Sequence, residues 1–326
     1  MSGGDRPRTE RRRAPASRRP ERVAYPTGRA RRGGPRARRR SLLARLAGLL
    51  ALAAILAGVA LALGSHTPKP AKPLAPAPEV RVLVTEGKTR AQIAQLTPAD
   101  GLKGSYLAAS VRSPLLNPVA YGAPADTPDL EGFLFPATYD MYRGDSAGRL
   151  VEEQLEAFAE NFGAPQVAAA RALRVTPYQL LIVASMVERE AVIPSDRPKI
   201  AAVIYNRLAA GMPLGIDASI YYAVEQAEHV PTYTGELTEA QLHIDSPYNT
   251  RTRVGLPPTP ISNPGLASIE AAAHPARVGY LYYVAGADGC GEQVFSDTQA
   301  EFEADAAAYD EAVARNGGRP PTCRRR

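Results

Sequence analysis

The sequence predicts an α+β domain held outside a membrane by a single N-terminal transmembrane helix, and three observations carry that prediction. One is a run of nineteen uncharged, mostly apolar residues at 46–64, directly behind Arg38, Arg39, Arg40 and Arg45. The second is a series of segments with helical apolar spacing after residue 145. The third is a pair of short strand-like runs, 280–285 and 293–297, around the turn GADGCGE.

The N-terminal arm comes first. Residues 1–45 hold sixteen arginines and three acids, a balance of +13, whereas the whole chain is only +6 and the remainder sums to −7. The basic character belongs to one arm, which excludes reading the protein as a nucleic-acid binder. Residues 1–40 carry almost no large apolar side chains and are expected to be a disordered cytoplasmic tail.

Residues 41–64 follow as the transmembrane segment. Its nineteen uncharged residues come close to the roughly 20 needed to cross ~30 Å of hydrocarbon as a helix. A cleaved signal peptide is the main rival, although its apolar region should span only about 7–15 residues. The arginines before the span and the scattered lysines after it keep the N-terminus in the cytoplasm. The protein is then expected to be a single-pass cell-membrane protein with everything after Ser65 extracytoplasmic. Residues 65–79 contain five prolines and read as an extended linker reaching about 40 Å.

From residue 80 the pattern is globular, with 80–145 expected as a small N-terminal lobe and 146–326 as a larger lobe with a C-terminal tail. VRVLVTEG alternates as a strand does and stops at Gly87, and Thr89 is placed to cap a helix containing Ala91, Ile93 and Leu96. Residues 101–145 are rich in Gly and Pro and read as irregular. Helices are expected at 147–161, 177–191, 198–210, 217–227 and 298–315. Cys290 and Cys323 have no zinc-ligand spacing, and either a bridge tying down the tail or two free thiols is open.

One segment combines burial with charge. Thr176, Pro177 and Gln179 form a helix start, and LLIVASMV is apolar on every side, as in an interior helix. The run ends at Glu188-Arg189-Glu190. Two residues apart, the carboxylates stand about 200° apart around the axis, so only one faces a given cleft. The helix C-terminus and apolar walls both disfavour the ionised form, and a raised pKa suits a general acid near neutrality. Ion pairing of both glutamates with Arg189, Arg197 or Arg207 is the plainer alternative. Pattern alone does not choose between the two carboxylates. Asp217 is placed either to cap the helix that follows or to line a sugar site, and SPYNTRTRVGLPPTPISNPG suits a rigid loop bearing amides and hydroxyls.

Taken in order, VTEGKTRAQIA, LEGFLFPATYDMY, ASMVEREA, the run 203–222, DSPYNTRTRVGLPPTPISNPG, AAAHPA and YLYYVA resemble the MltG (YceG-like) endolytic lytic transglycosylases over about residues 80–310. The resemblance implies a lysozyme-like active site with Glu190 as the catalytic residue and Glu188 structural. It places Tyr248 and Asn249 as a sugar-contacting pair, with Glu131, Asn206, Asp217 and Thr250 on motif positions that shape the cleft or bind sugar. Ala191, Gly215, Ala218 and Gln293 depart from the usual Thr, Gln, Pro and His.

The implied reaction cleaves the bond between N-acetylmuramic acid and N-acetylglucosamine in nascent peptidoglycan strands, leaves 1,6-anhydro ends and ends glycan elongation. It uses one carboxyl group and needs no cofactor and no metal. Cell-wall synthases are the implied neighbours. Two alternatives remain: a wall-binding or division scaffold without catalysis, and a muramidase-type hydrolase using Asp217 or Asp245 as second carboxylate.

Overall fold

The computed structural model describes residue 48, residues 50–55 and residues 80–323. The chain divides into two units, Met1–Ala75 and Pro76–Arg326. In the first, residues 48 and 50–55 are helical. The tail 1–40, the linker 65–79 and the rest of the span 41–64 lie outside the described residues. Among the described residues no helix is long and apolar enough to cross a membrane.

The second unit is α+β. In order it contains β1 (Val80–Leu83), α1 (Arg90–Leu96), α2 (Tyr106–Ala109), β2 (Thr138–Met141), α3 (Ala147–Asn161), α4 (Ala164–Ala172) and α5 (Pro177–Glu190). There follow α6 (Arg197–Ala210), α7 (Asp217–Glu228), α8 (Glu239–Leu242), α9 (Leu266–Ala273), β3 (Tyr282–Ala285), β4 (Gln293–Ser296) and α10 (Gln299–Arg315). β1 pairs antiparallel with β2, Val80 opposite Met141, and β3 pairs antiparallel with β4, Tyr282 opposite Ser296.

Side-chain alternation explains the first hairpin. Val82, Tyr139 and Met141 turn inward and are buried, while Arg81 and Asp140 pair across the strands in solvent. The centre of the core is α5, in which every residue from 180 to 187 is 3 % exposed or less. Its start is fixed by a reciprocal cap in which Thr176 Oγ1 accepts from Gln179 N while Gln179 Oε1 accepts from Thr176 N. α9 lies against both α5 and α6.

Buried polar groups wire the long loop before α9 onto this core. Ser185 of α5 accepts from Ile261 N at 3.0 Å, and Asn263 Oδ1 accepts from Gly132 N and Leu134 N. Gly132 is required there, because its φ is +89° and a Cβ would lie 2.5 Å from Pro260 Cγ.

Several expectations need correcting. Asp217 does not cap α7: the cap position is Ile216 and Asp217 is the first helical residue. The free Ile216 N–H is instead met by Thr250 Oγ1, 34 residues away, at 2.9 Å. α4 and α9 have no counterpart in the expected helices. Both are alanine-rich with little amphipathic contrast, and their cap residues Gly163 and Gly265 offer no side-chain signal. Cys290 and Cys323 are joined in a disulfide, which fastens residue 323 to the turn between β3 and β4.

Candidate active site

α5 ends at Glu190 because Ala191 leaves in an extended conformation, φ −81° and ψ 111°. The two carboxylates then diverge as their spacing requires. Glu188 Oε2 accepts from Gly265 N at 3.0 Å and Oε1 lies 3.9 Å from Arg197, so Glu188 anchors the start of α9. Glu190 turns the other way, partly buried, and forms no salt bridge among the described residues.

Two groups hold its carboxylate. Tyr283 Oη donates to Oε2 at 3.0 Å, and the backbone N–H of Ala218, in the first turn of α7, donates to Oε1 at a longer 3.4 Å. Burial pushes the Glu190 pKa above the usual carboxylate range. The Tyr283 and Ala218 hydrogen bonds pull it down, the negative charge of Asp217 raises it and Arg189 lowers it. The group is therefore biased toward holding a proton while retaining donors that steady the anion once the proton leaves.

The same hairpin that supplies Tyr283 also fixes the Glu190 main chain. Gln293 of β4 donates through Nε2 to Glu190 O at 3.2 Å and through its own N to Asp196 Oδ2 at 2.8 Å. Its Oε1 is buried with no partner among the described residues. The departure from His at this position thus leaves an amide that pins backbone.

Asn206 and Arg207 hold the approach to β3. Asn206 Nδ2 donates to Val278 O and Tyr280 O, at 3.0 and 2.9 Å, while Arg207 donates to Leu281 O and Leu214 O. Gly215, the second departure, has φ +64°, a left-handed conformation that glycine adopts without strain.

The loop residues are committed to the chain itself. Asn249 is fully buried; its Nδ2 donates to Leu242 O and Ile244 O, and its Oδ1 accepts from Arg251 N. Thr250 Oγ1 holds the start of α7 and shares a 2.8 Å hydrogen bond with Ser219. Tyr248 Oη meets Thr259 Oγ1 at 2.9 Å, and its ring lies edge-on to Tyr222 at 4.9 Å. Asp217 is half exposed and paired with Arg251 at 2.6 Å.

The structure therefore brings Asp217, and through backbone support Asn206 and Thr250, around Glu190. Glu131 lies elsewhere, at the start of α1, where both oxygens accept from Arg90 N at 3.1 Å and Oε1 also accepts from Asn263 Nδ2 at 2.7 Å. Burial, helped by Asp129, pushes its pKa up to about 8 despite these donors and the Arg90 charge. Sequence reasoning did not single out Tyr283 or Arg251, and named Gln293 only as a departure from the usual His. Tyr283 stood within the YLYYVA stretch, but which of its tyrosines meets Glu190 is decided by a contact across 93 residues. Among the described residues no three His, Cys, Asp or Glu side chains converge as metal ligands would.

A carboxyl group at the foot of an interior helix, held by one hydroxyl and one helix N-terminus, is an arrangement that acid–base chemistry by a single residue would use. The chain belongs to the YceG-like family, whose model matches residues 61–308. It is 39% identical over 176 residues to an endolytic murein transglycosylase of Bacillus subtilis (strain 168), covering 53% of this chain and 46% of that one. It is 37% identical over 163 residues to an endolytic murein transglycosylase of Streptococcus pneumoniae serotype 2 (strain D39), covering 48% and 28%. The chain thus spans less than half the length of these curated relatives. A crystal structure of a yceG-like protein from Listeria monocytogenes superposes with a TM-score of 0.60 at 32% identity, covering 71% of this chain and 76% of that one.

Proposed function

We propose that this chain is an endolytic lytic transglycosylase of peptidoglycan. The observation that carries the reading is Glu190: a partly buried carboxyl biased toward its protonated form, free of salt bridges among the described residues, and held by Tyr283 and Ala218. The named relatives support the same substrate.

In this reading Glu190 protonates the glycosidic oxygen between N-acetylmuramic acid and N-acetylglucosamine, and the C1–O bond breaks. The 2-acetamido group of the substrate steadies the developing positive charge. The Glu190 carboxylate, stabilised by Tyr283, then takes the proton of the C6 hydroxyl as that oxygen bonds to C1 and closes the 1,6-anhydro ring. No water is consumed. Asn206, Tyr248, Asn249 and Thr250 serve the sugar site by fixing its walls, and Asp217 by tuning Glu190 and presenting Arg251.

The hydrolase alternative has little support in the geometry. Asp217 is taken up by Arg251, and Asp245, 93% exposed, is paired with Arg253. The proposal includes the single span at 41–64 with the N-terminus in the cytoplasm, on the strength of its uncharged length and its flanking arginines. A catalytic domain outside such a span would stand beside cell-wall synthases and end the strands they extend.

The test is product analysis on uncrosslinked glycan strands. The expected products carry anhydro ends, 18 mass units lighter than hydrolysis products, and Glu190→Gln loses at least about a hundredfold in rate. Anhydro products released by Glu190→Gln at the wild-type rate would overturn the assignment.

A further inference from the structure

A cavity of about 690 Å³ opens between α1, α2 and α7, and the Glu190 chemistry leaves it unused. One wall is apolar and built from small or short side chains, Ala91 and Ala94 of α1 with Leu107 and Val111. The opposite wall is Tyr222 and Glu225 of α7, with Asp129 and Glu131 between.

The polar groups do not balance one another. The Arg90 guanidinium is consumed by Asp129, Ser110 Oγ and Leu107 O. Glu225 is 4% exposed, and among the described residues only its Oε1 is hydrogen-bonded, accepting from Tyr233 N at 3.2 Å. Tyr222 is 5% exposed and makes no hydrogen bond among the described residues, although its hydroxyl lies close enough to Glu131 and Asp129 to feel both. The Tyr222 hydroxyl and the second Glu225 oxygen have no protein partner among the described residues, and both residues line one cavity from which a ligand can reach them.

The chemistry of the walls narrows the ligand. Arg90 and Asp129 cancel each other, and burial biases Glu131 toward its neutral form, which leaves Glu225 as the carboxyl that a cationic donor would meet. The opposite wall of Ala91, Ala94, Leu107 and Val111 offers apolar contact to short side chains. Glu225 is seven residues beyond Ala218, the residue that meets Glu190, and so stands about 10 Å along the same helix. It also feels the charge of Arg189, the neighbour of Glu190.

We infer that this cavity is a subsite for the peptide stem of the glycan, taking a short peptide of small side chains whose free amine meets Glu225 and whose backbone carbonyl accepts from Tyr222. The inference rests on peptidoglycan being the substrate, since each N-acetylmuramic acid there carries such a peptide.

The full-length chain tests it on three uncrosslinked strands: peptide-bearing, stripped of peptide, and peptide-bearing with the free amine acetylated. Wild type should cleave the first about tenfold better in kcat/KM than the second, the advantage of one well-placed charge-assisted contact, and acetylation should remove most of that ratio. Glu225→Gln and Tyr222→Phe should each compress the ratio toward one. Equal kcat/KM on bearing and stripped strands overturns the inference, as does a ratio untouched by acetylation. Calorimetric titration of wild type with the free tripeptide ending in a diamino acid, against its acetylated form, reads the cavity without any cleavage. Tighter binding of the free amine supports the subsite even if the catalytic reading fails, and equal or absent binding of both overturns it even if that reading stands.

Discussion

Glu190 and Glu131 are both glutamates that burial pushes toward the neutral form, yet the structure uses them in opposite ways. Glu131 sits inside a finished network: Arg90 N and Asn263 Nδ2 meet its oxygens, and it is 4% exposed. Glu190 has one good donor and one long one, and is only partly buried. Desolvation alone does not make an acid catalyst. A carboxyl becomes one when its proton has somewhere to go, and both Glu131 oxygens are taken by the donors that hold it.

The widest separation between the two should come from Glu190→Gln, with at least about a hundredfold loss of cleavage and no fall in Tm. Glu131→Ala should act on stability, because it leaves buried donors on Arg90 and Asn263 without an acceptor. A cost of about 3 kcal/mol is expected, lowering Tm by roughly 6–12 °C in a calorimetric scan.

Next in size is Tyr283→Phe, which removes a hydrogen bond that favours the carboxylate. The Glu190 pKa should then rise, so the alkaline limb of kcat/KM moves to higher pH, while kcat falls about tenfold because the base step loses its support. A drop in rate with an unmoved limb would reduce Tyr283 to packing.

Glu131 makes a subtler prediction about pH. Its folded pKa, about 8, lies above the ordinary glutamate value of 4.5, so between those values the unfolded chain gives up the proton and the folded chain keeps it. Its contribution to stability is complete below pH 4.5 and is lost as pH rises toward 8, with a slope of at most about 1.4 kcal/mol per pH unit. Urea unfolding at several pH values should show this slope, and Glu131→Gln should flatten it. The smallest effect is expected of Asp217→Asn. Removing that charge should shift the alkaline limb slightly down, by less than Tyr283→Phe moves it up, and products should remain anhydro sugars; hydrolysis lost in this variant alone would revive a second carboxylate.

How much of this was legible in the sequence depends on how local each cause is. The start of α5 could be read at once, because Thr176, Pro177 and Gln179 are adjacent and the cap is made among themselves. The divergence of Glu188 and Glu190 followed from helix geometry, but their division of labour did not. Only the fold brings Gly265 N to one and Tyr283 to the other. Capping was one of two readings open for Asp217, and it does not hold, because the group that meets Ile216 N, Thr250, comes from a distant loop. Asn206, Asn249 and Thr250 carry the side chains a sugar site would use, and nothing in a linear pattern shows that their hydrogen bonds run to the protein's own chain.

The Cys290–Cys323 bond has a consequence for when the site is complete. It straps residue 323 to the hairpin whose two strands hold Glu190, one by its carboxylate and the other by its main chain. Such bonds persist in oxidising surroundings and are kept open in reducing ones. Where thiols stay reduced, residue 323 is not held to that turn, so the strap behind Glu190 exists only in a compartment where thiols oxidise.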